Sequence, residues 1–185
     1  NVATKNVVID GSMLGVDKNG PNLDVTSSIS SGWTKDAITL TAKASDSESG
    51  IKYITLPDGT IVNSTIATFK VNADGTYTFK AMDNAGNETT KQVIIGENGA
   101  VRIDNVVPTL NLSVDNSSWT DDDVTINAVA KDTGSGIKSI TLPDGTEVNS
   151  STASFNATGN GKYKFSTVDN AGNTAESTIE ITTID

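Results

Sequence analysis

The groups in this sequence that could do chemistry are carboxylates and amides. Asp46 and Asp83 recur further along as Asp132 and Asp169, and Asp17 and Asp104 stand ahead of each pair. Hard oxygen donors of this kind suit Ca²⁺, which takes about six to eight oxygens in flexible geometry. Other chemistries are removed by composition. There is no Cys and no His, so disulfides, thiol nucleophiles and thiolate metal sites go together with the commonest general base and the commonest transition-metal ligand. Acidic residues number 23 against 13 basic, for a net charge of −10 and a pI near 4.3. Such a chain repels phosphate, and no nucleic-acid partner is expected. The run Asp121-Asp122-Asp123 reads as a solvated face. No two carboxylates can be placed across a cleft as glycoside hydrolysis requires, and no pocket of perturbed acids can be named. The chain is expected to be non-catalytic, with no organic cofactor and Ca²⁺ as the one ion to consider.

What positions these acids follows from the rest of the chain. The apolar fraction is 35%, with 16 Gly besides, enough to build small cores. The longest apolar runs are short, such as Val93-Ile94-Ile95, far below the roughly 20 residues of a membrane helix. No membrane insertion is expected. No signal, sorting or lipidation motif is visible, and the chain starts at Asn1 rather than Met, so it reads as a piece of something longer.

Self-similarity sets the organisation. Shifting the sequence by 86 places Trp33 on Trp119 and keeps register without a gap to Ile95 on Ile181, with about half of the paired residues identical. Ser49-Gly50-Ile51-Lys52 matches Ser135-Gly136-Ile137-Lys138, and Asp83-Asn84-Ala85-Gly86-Asn87 returns as Asp169-Asn170-Ala171-Gly172-Asn173. Two homologous units follow, residues 17–103 and 104–185. The same shift lays Asn1 on Asn87, so residues 1–16 read as the last strand of a preceding repeat plus a linker. An alternative is that this strand covers the first unit's open edge.

Each unit is full of strand signals. Ile38, Leu40, Ala42 and Ala44 alternate with Thr39, Thr41 and Lys43, and Val124, Ile126, Ala128 and Ala130 repeat the pattern, a period of two. Leu-Pro-Asp-Gly and Gly-Asn-Gly segments supply turns, and no window holds a helical period. About seven short strands per unit predict an all-β chain of two tandem immunoglobulin-like sandwiches. Tyr77-Thr78-Phe79 and Tyr163-Lys164-Phe165 resemble the tyrosine corner of immunoglobulin domains, with Phe at the position of the second Cys. Taken with Trp-Thr, Ser-Gly-Ile and Asp-Asn-Ala-Gly-Asn, the pattern resembles the bacterial Ig-like (Big-type) repeats of secreted and cell-surface proteins.

Immunoglobulin topology, if it holds, brings the second-to-third-strand loop at Asp46, the sixth-to-seventh-strand loop at Asp83, and the incoming chain at Asp17 to one pole. Asp104, Asp132 and Asp169 do the same in the second unit, with Asn170 and Asn173 beside them. Asp36, Asp58 and Asp74 would lie at the far pole of the first unit, so that acids from two neighbouring units could meet around a stiffening Ca²⁺. The competing and weightier reading is that these Asp and Asn side chains accept and donate backbone hydrogen bonds in turns. Trp33 and Trp119 could stack on a sugar or partner, but a repeated Trp in a small sandwich is expected to plug the end of its core. Lys43, the candidate for an internal isopeptide bond, falls on the outward face of its strand. Asn-x-Ser/Thr sequences, as at Asn63, Asn116 and Asn149, follow from composition and carry no glycosylation signal.

The resemblance implies a non-catalytic spacer of a bacterial extracellular or cell-surface protein, holding an adhesive or catalytic head. Its partners would be neighbouring Ig-like repeats of the same chain. An adhesive module binding a host protein or glycan through its loops is the alternative. Adhesive loops should differ between units, whereas Asp-Asn-Ala-Gly-Asn and Leu-Pro-Asp-Gly are identical in both.

Overall fold

The computed structural model describes residues 16–185; the strand predicted over residues 1–10 lies outside them. Every regular element is a strand. The chain divides into two compact units, residues 16–30 with Ile38–Gly99, and Ser31–Ala37 with Ala100–Asp185.

The first unit is built from β1 (Asn22–Ser27), β3 (Ile38–Ser45), β4 (Ile51–Thr55), β5 (Ile61–Val62), β6 (Ile66–Val71), β7 (Gly75–Asp83) and β8 (Glu88–Ile95). Its two sheets run β1-β3-β6 and β5-β4-β7-β8, antiparallel throughout. This is an Ig-like sandwich. The short β5 pairs with β4, however, and does not extend the β1-β3-β6 sheet, where constant-type immunoglobulin domains put their fourth strand. Alternation fixes which face is inside: Ile38, Leu40, Ala42 and Ala44 are buried while Lys43 points to solvent. Phe79, at the position where an immunoglobulin disulfide would sit, is fully buried. It meets Phe69 edge-on at 6.4 Å between ring centroids, a favoured quadrupole geometry.

The second unit repeats the plan with β10 (Thr109–Val114), β11 (Val124–Lys131), β12 (Ile137–Thr141), β13 (Glu147–Val148), β14 (Thr152–Ala157), β15 (Gly161–Asp169) and β16 (Thr174–Ile181). The sheets are β10-β11-β14 and β13-β12-β15-β16. Its core gathers Val124, Ile126, Ala128, Ala130, Ile140, Ala157, Phe165 and Ile181, and Phe155 packs edge-on against Phe165 at 6.3 Å. The tyrosine corner is present in both units. Tyr77 Oη donates to Ala73 O at 2.7 Å, and Tyr163 Oη donates to Gly159 O at 2.7 Å.

One element departs from the repeat boundaries. β2 (Gly32–Thr34) pairs in parallel with β9 (Val101–Ile103), setting Trp33 opposite Arg102. Both strands belong to the second unit, although by sequence they sit within residues 17–103. The short β2 is cut off from β3 by the bend at residues 35–37, and its hydrogen bonds go to β9 instead.

The tryptophans do not plug the cores. Trp119 is 73% exposed and Trp33 is half-buried, with the Arg102 guanidinium 5.3 Å from its ring centroid. Phe79 and Phe165, with Phe69 and Phe155, already fill the aromatic space between the sheets. The tryptophans precede β3 and β11, outside the alternation that points side chains inward.

Candidate functional site

Two clusters of three aspartates form, one per unit: Asp17 with Asp46 and Asp83, and Asp104 with Asp132 and Asp169. In each, one carboxylate oxygen from every member lies within 4.8 Å of the others. The sequence reading named these six residues, and the fold groups them as the strand order requires. Asp46 and Asp132 follow β3 and β11, Asp83 and Asp169 end β7 and β15, and Asp17 and Asp104 arrive with the incoming chain. Each cluster draws all three acids from a single unit, so it does not need the pooling of acids from two units that sequence suggested. Of the far-pole acids, Asp36 lies in the segment assigned to the second unit and pairs with Lys35 at 3.1 Å.

The loops around these acids are held by the acids themselves. Asp46 Oδ1 accepts the N–H groups of Glu48, Ser49 and Gly50 at 3.1, 2.8 and 2.9 Å. The Gly50 bond comes first among the causes that hold its carboxyl below the ordinary range, followed by Ser49. Asp83 is buried; burial pushes its pKa up, but the hydrogen bonds from the Asn87 side chain at 2.8 Å and its N–H at 2.8 Å, with those from Gly86 and Ala85, together bring the net shift down. Gly86, at φ 95°, makes that turn possible, since only a residue without Cβ adopts this region cheaply. Asp169 does the same for Gly172 and Asn173, whose N–H groups reach its Oδ1 at 2.7 and 2.8 Å.

Asparagine joins the loops to the incoming chain. Asn173 Nδ2 lies 2.7 Å from Asp169 Oδ2 and 2.9 Å from the carbonyl oxygen of Asp104. Asn87 repeats both bonds with Asp83 and Asp17, at 2.8 and 3.3 Å. Asn84 and Asn170 hold the neighbouring loop, donating to Ser49 O and Ser135 O at 2.8 and 2.9 Å. Serine completes the arrangement in ways that the sequence reading missed: Ser49 Oγ donates to Asp17 Oδ2 at 2.6 Å, and Ser135 N–H to Asp104 Oδ2 at 2.6 Å. The signal was there in the repeated Ser-Gly-Ile motif. For Asp104 the largest influence is burial, which raises its pKa, yet the Ser135 and Val106 bonds bring the net shift down.

The ion pairs Lys35–Asp36, Lys80–Glu88 and Lys164–Glu176 lie away from the clusters, and none of the three reaches a cluster carboxylate. The acids are balanced by N–H dipoles. One oxygen is left over. Asp132 Oδ2 accepts Gly134 and Gly136 N–H at 3.0 and 2.7 Å, while its Oδ1 is enclosed and has no hydrogen-bond partner. Buried polar atoms without a partner are rare and ask for an explanation.

No protein-family model matches the chain, and no curated protein matches it. Among solved structures it is similar to one described as Clostridium thermocellum CbhA fibronectin(III)-like modules, at 19% identity and a TM-score of 0.40, covering 87% of this chain and 94% of that chain. No helix among the described residues is long and apolar enough to cross a membrane.

Proposed function

We propose that the chain is a non-catalytic spacer from an extracellular or cell-surface bacterial protein of the Big-type, whose units set a head at a distance. One observation carries this reading. In both units the Asp-Asn-Ala-Gly-Asn turn spends its side chains on the protein's own backbone, with Asn87 and Asn173 clasping the carbonyls of Asp17 and Asp104. Loops that bind a partner leave donors and acceptors open to it; the Asp and Asn side chains of this turn are occupied in both units, largely by equivalent partners. The competing adhesive reading is tested by presenting the full chain to arrays of glycans and host extracellular proteins. A spacer gives no saturable binding. Saturable binding that is lost on replacing exposed loop residues overturns the proposal in favour of adhesion.

A second reading, that the clusters hold Ca²⁺, is favoured by the orphaned Asp132 Oδ1. The donor set is all oxygen, as this ion prefers, and the second unit leaves one enclosed oxygen unused. Asp104, Asp132 and Asp169 would hold the ion and Asp17, Asp46 and Asp83 its counterpart; bound there, it would neutralise neighbouring carboxylates. A ligand at a hundredfold excess over its Kd stabilises by about 2.7 kcal/mol, on the order of 10 °C in Tm for a unit of this size. Unfolding in millimolar calcium and then in EDTA reads this directly. A reversible rise that Asp132→Asn abolishes supports the ion. An unchanged Tm leaves the acids as turn chemistry alone.

A further inference from the structure

We infer that Asn19-Gly20 is a self-modification site, where the Asn19 amide is lost as ammonia and the carboxylate left behind loosens the entry of the first unit. In an asparagine–glycine pair the backbone nitrogen reaches the side-chain carbonyl carbon with least hindrance, because glycine has no Cβ. The chain holds three such pairs, Asn19-Gly20, Asn98-Gly99 and Asn160-Gly161. Their surroundings separate them.

Gly99 donates its N–H to Gly96 O at 2.9 Å, so its nitrogen is engaged. Asn160 is held at both ends of its amide: Nδ2 donates to Ile184 O at 2.7 Å, and Oδ1 accepts the N–H of Ile184 at 2.9 Å. Asn19 and Gly20 are both exposed, and the N–H of Gly20 meets no acceptor among the described residues. The Asn19 side chain donates from Nδ2 to Glu48 Oε1 at 2.7 Å. Turning the amide from Glu48 toward Gly20 breaks that bond, so Glu48 acts as a brake on the reaction.

The steps balance without any oxidant or reductant. The Gly20 nitrogen bonds to Asn19 Cγ, the Cγ–Nδ2 bond breaks, and the displaced nitrogen leaves as ammonia with the Gly20 proton. Water then opens the succinimide ring at either carbonyl. One opening leaves aspartate; the other leaves isoaspartate, with one more carbon in the main chain. Either product sets a carboxylate where Nδ2 met the Glu48 carboxylate, and like charges at that distance repel. Glu48 belongs to the loop that also fastens the incoming chain, since its neighbour Ser49 Oγ donates to Asp17 Oδ2 at 2.6 Å. The turn backbone itself needs no asparagine. Asn19 N–H reaches Asp17 Oδ1 at 2.9 Å, and in the second unit Val106 N–H reaches Asp104 Oδ1 at 3.1 Å. Glycine is required at position 20 by packing: a Cβ there would lie 2.7 Å from Thr89 Oγ1. The second unit has Val107 in that place, so the site belongs to the first unit alone. The inference is independent of the spacer reading, because an adhesive chain would carry the same site.

The test ages the full chain in warm, mildly alkaline buffer and follows each asparagine by peptide mapping with mass and isoaspartate detection. Asn19 is expected to convert before Asn98 and Asn160. Glu48→Ala is expected to speed Asn19 roughly two- to tenfold, as the loss of one hydrogen bond allows, while Asn98 and Asn160 keep their rates. Earlier conversion at either of the other two, or an Asn19 rate unmoved by Glu48→Ala, overturns the proposal. The consequence is read separately in Asn19→Asp, which carries one of the two products from the start. Hydrogen-exchange protection of the Glu48 and Ser49 amides is expected to fall about two- to tenfold as their loop opens more readily. Unchanged protection shows that the new charge loosens nothing, which also overturns it.

Discussion

The side-chain amide of Asn173 reaches the backbone carbonyl of Asp104 across 69 positions of sequence, at 2.9 Å, and both residues are buried. The same amide meets Asp169 at 2.7 Å. One small side chain thus ties the incoming chain to the turn between β15 and β16.

Asn173→Ala is therefore expected to cost about 1–3 kcal/mol, since it leaves a buried carbonyl and a buried carboxylate oxygen without this donor. Asn87→Ala should cost less, because Asn87 is only half-buried and its bond to Asp17 is longer, 3.3 Å. Urea unfolding followed by tyrosine and tryptophan fluorescence gives both values. Equal losses in the two variants would show that burial of the clasp does not set its worth.

The tyrosine corners predict a paired result. Tyr77→Phe and Tyr163→Phe each remove a single 2.7 Å bond and keep the ring. Each should lower stability by about 0.5–1.5 kcal/mol with the denaturant slope unchanged. The two losses should add, because the residues lie in separate units. A double variant that departs from additivity by more than about 0.5 kcal/mol would count against independent corners.

Trp33→Ala and Trp119→Ala should differ although the residue and its neighbours repeat. Trp119 stands open to solvent, and its loss should fall within about 0.5 kcal/mol of zero. Trp33 carries the Arg102 guanidinium, and its truncation should destabilise the second unit by about 1 kcal/mol or more. Equal effects in thermal unfolding would contradict the difference in their surroundings.

Much of this was legible in the residues. The alternation of Ile38, Leu40, Ala42 and Ala44 gave the inward face because a strand's period is fixed, and the Tyr-x-Phe segments gave the corner. The six clustered aspartates were legible because loops between successive strands of a sandwich must meet at its ends. What escaped was decided by pairing between distant segments. Gly32–Thr34 has the same sequence signals whichever unit takes its hydrogen bonds, and only β9 settles that. The exposure of Trp119 escaped for a related reason: residue type says that a Trp is costly to expose, and says nothing of which surface is there to cover it.

Acid should weaken the fold. Asp58 and Asp144 have pKa values held below the ordinary 3.8, chiefly by the N–H groups of Thr60 and Thr146, and Asp115 is held down chiefly by the Thr125 side chain. A carboxyl with a depressed native pKa contributes stability that is present above its unfolded value and lost as pH falls through the native one. The urea midpoint should therefore be nearly level from neutrality to about pH 5 and decline below about pH 4. The decline should be shallower in Asp58→Asn/Asp144→Asn. A rise below pH 4 would mean that relief of self-repulsion in a chain of net charge −10 outweighs these bonds.

A spacer presents no binding loops. The full chain, presented to arrays of glycans and host extracellular proteins, is predicted to give no saturable binding, because the Asp-Asn-Ala-Gly-Asn side chains already hold the protein's own backbone in both units. Saturable binding that is lost on replacing exposed loop residues would contradict the spacer function.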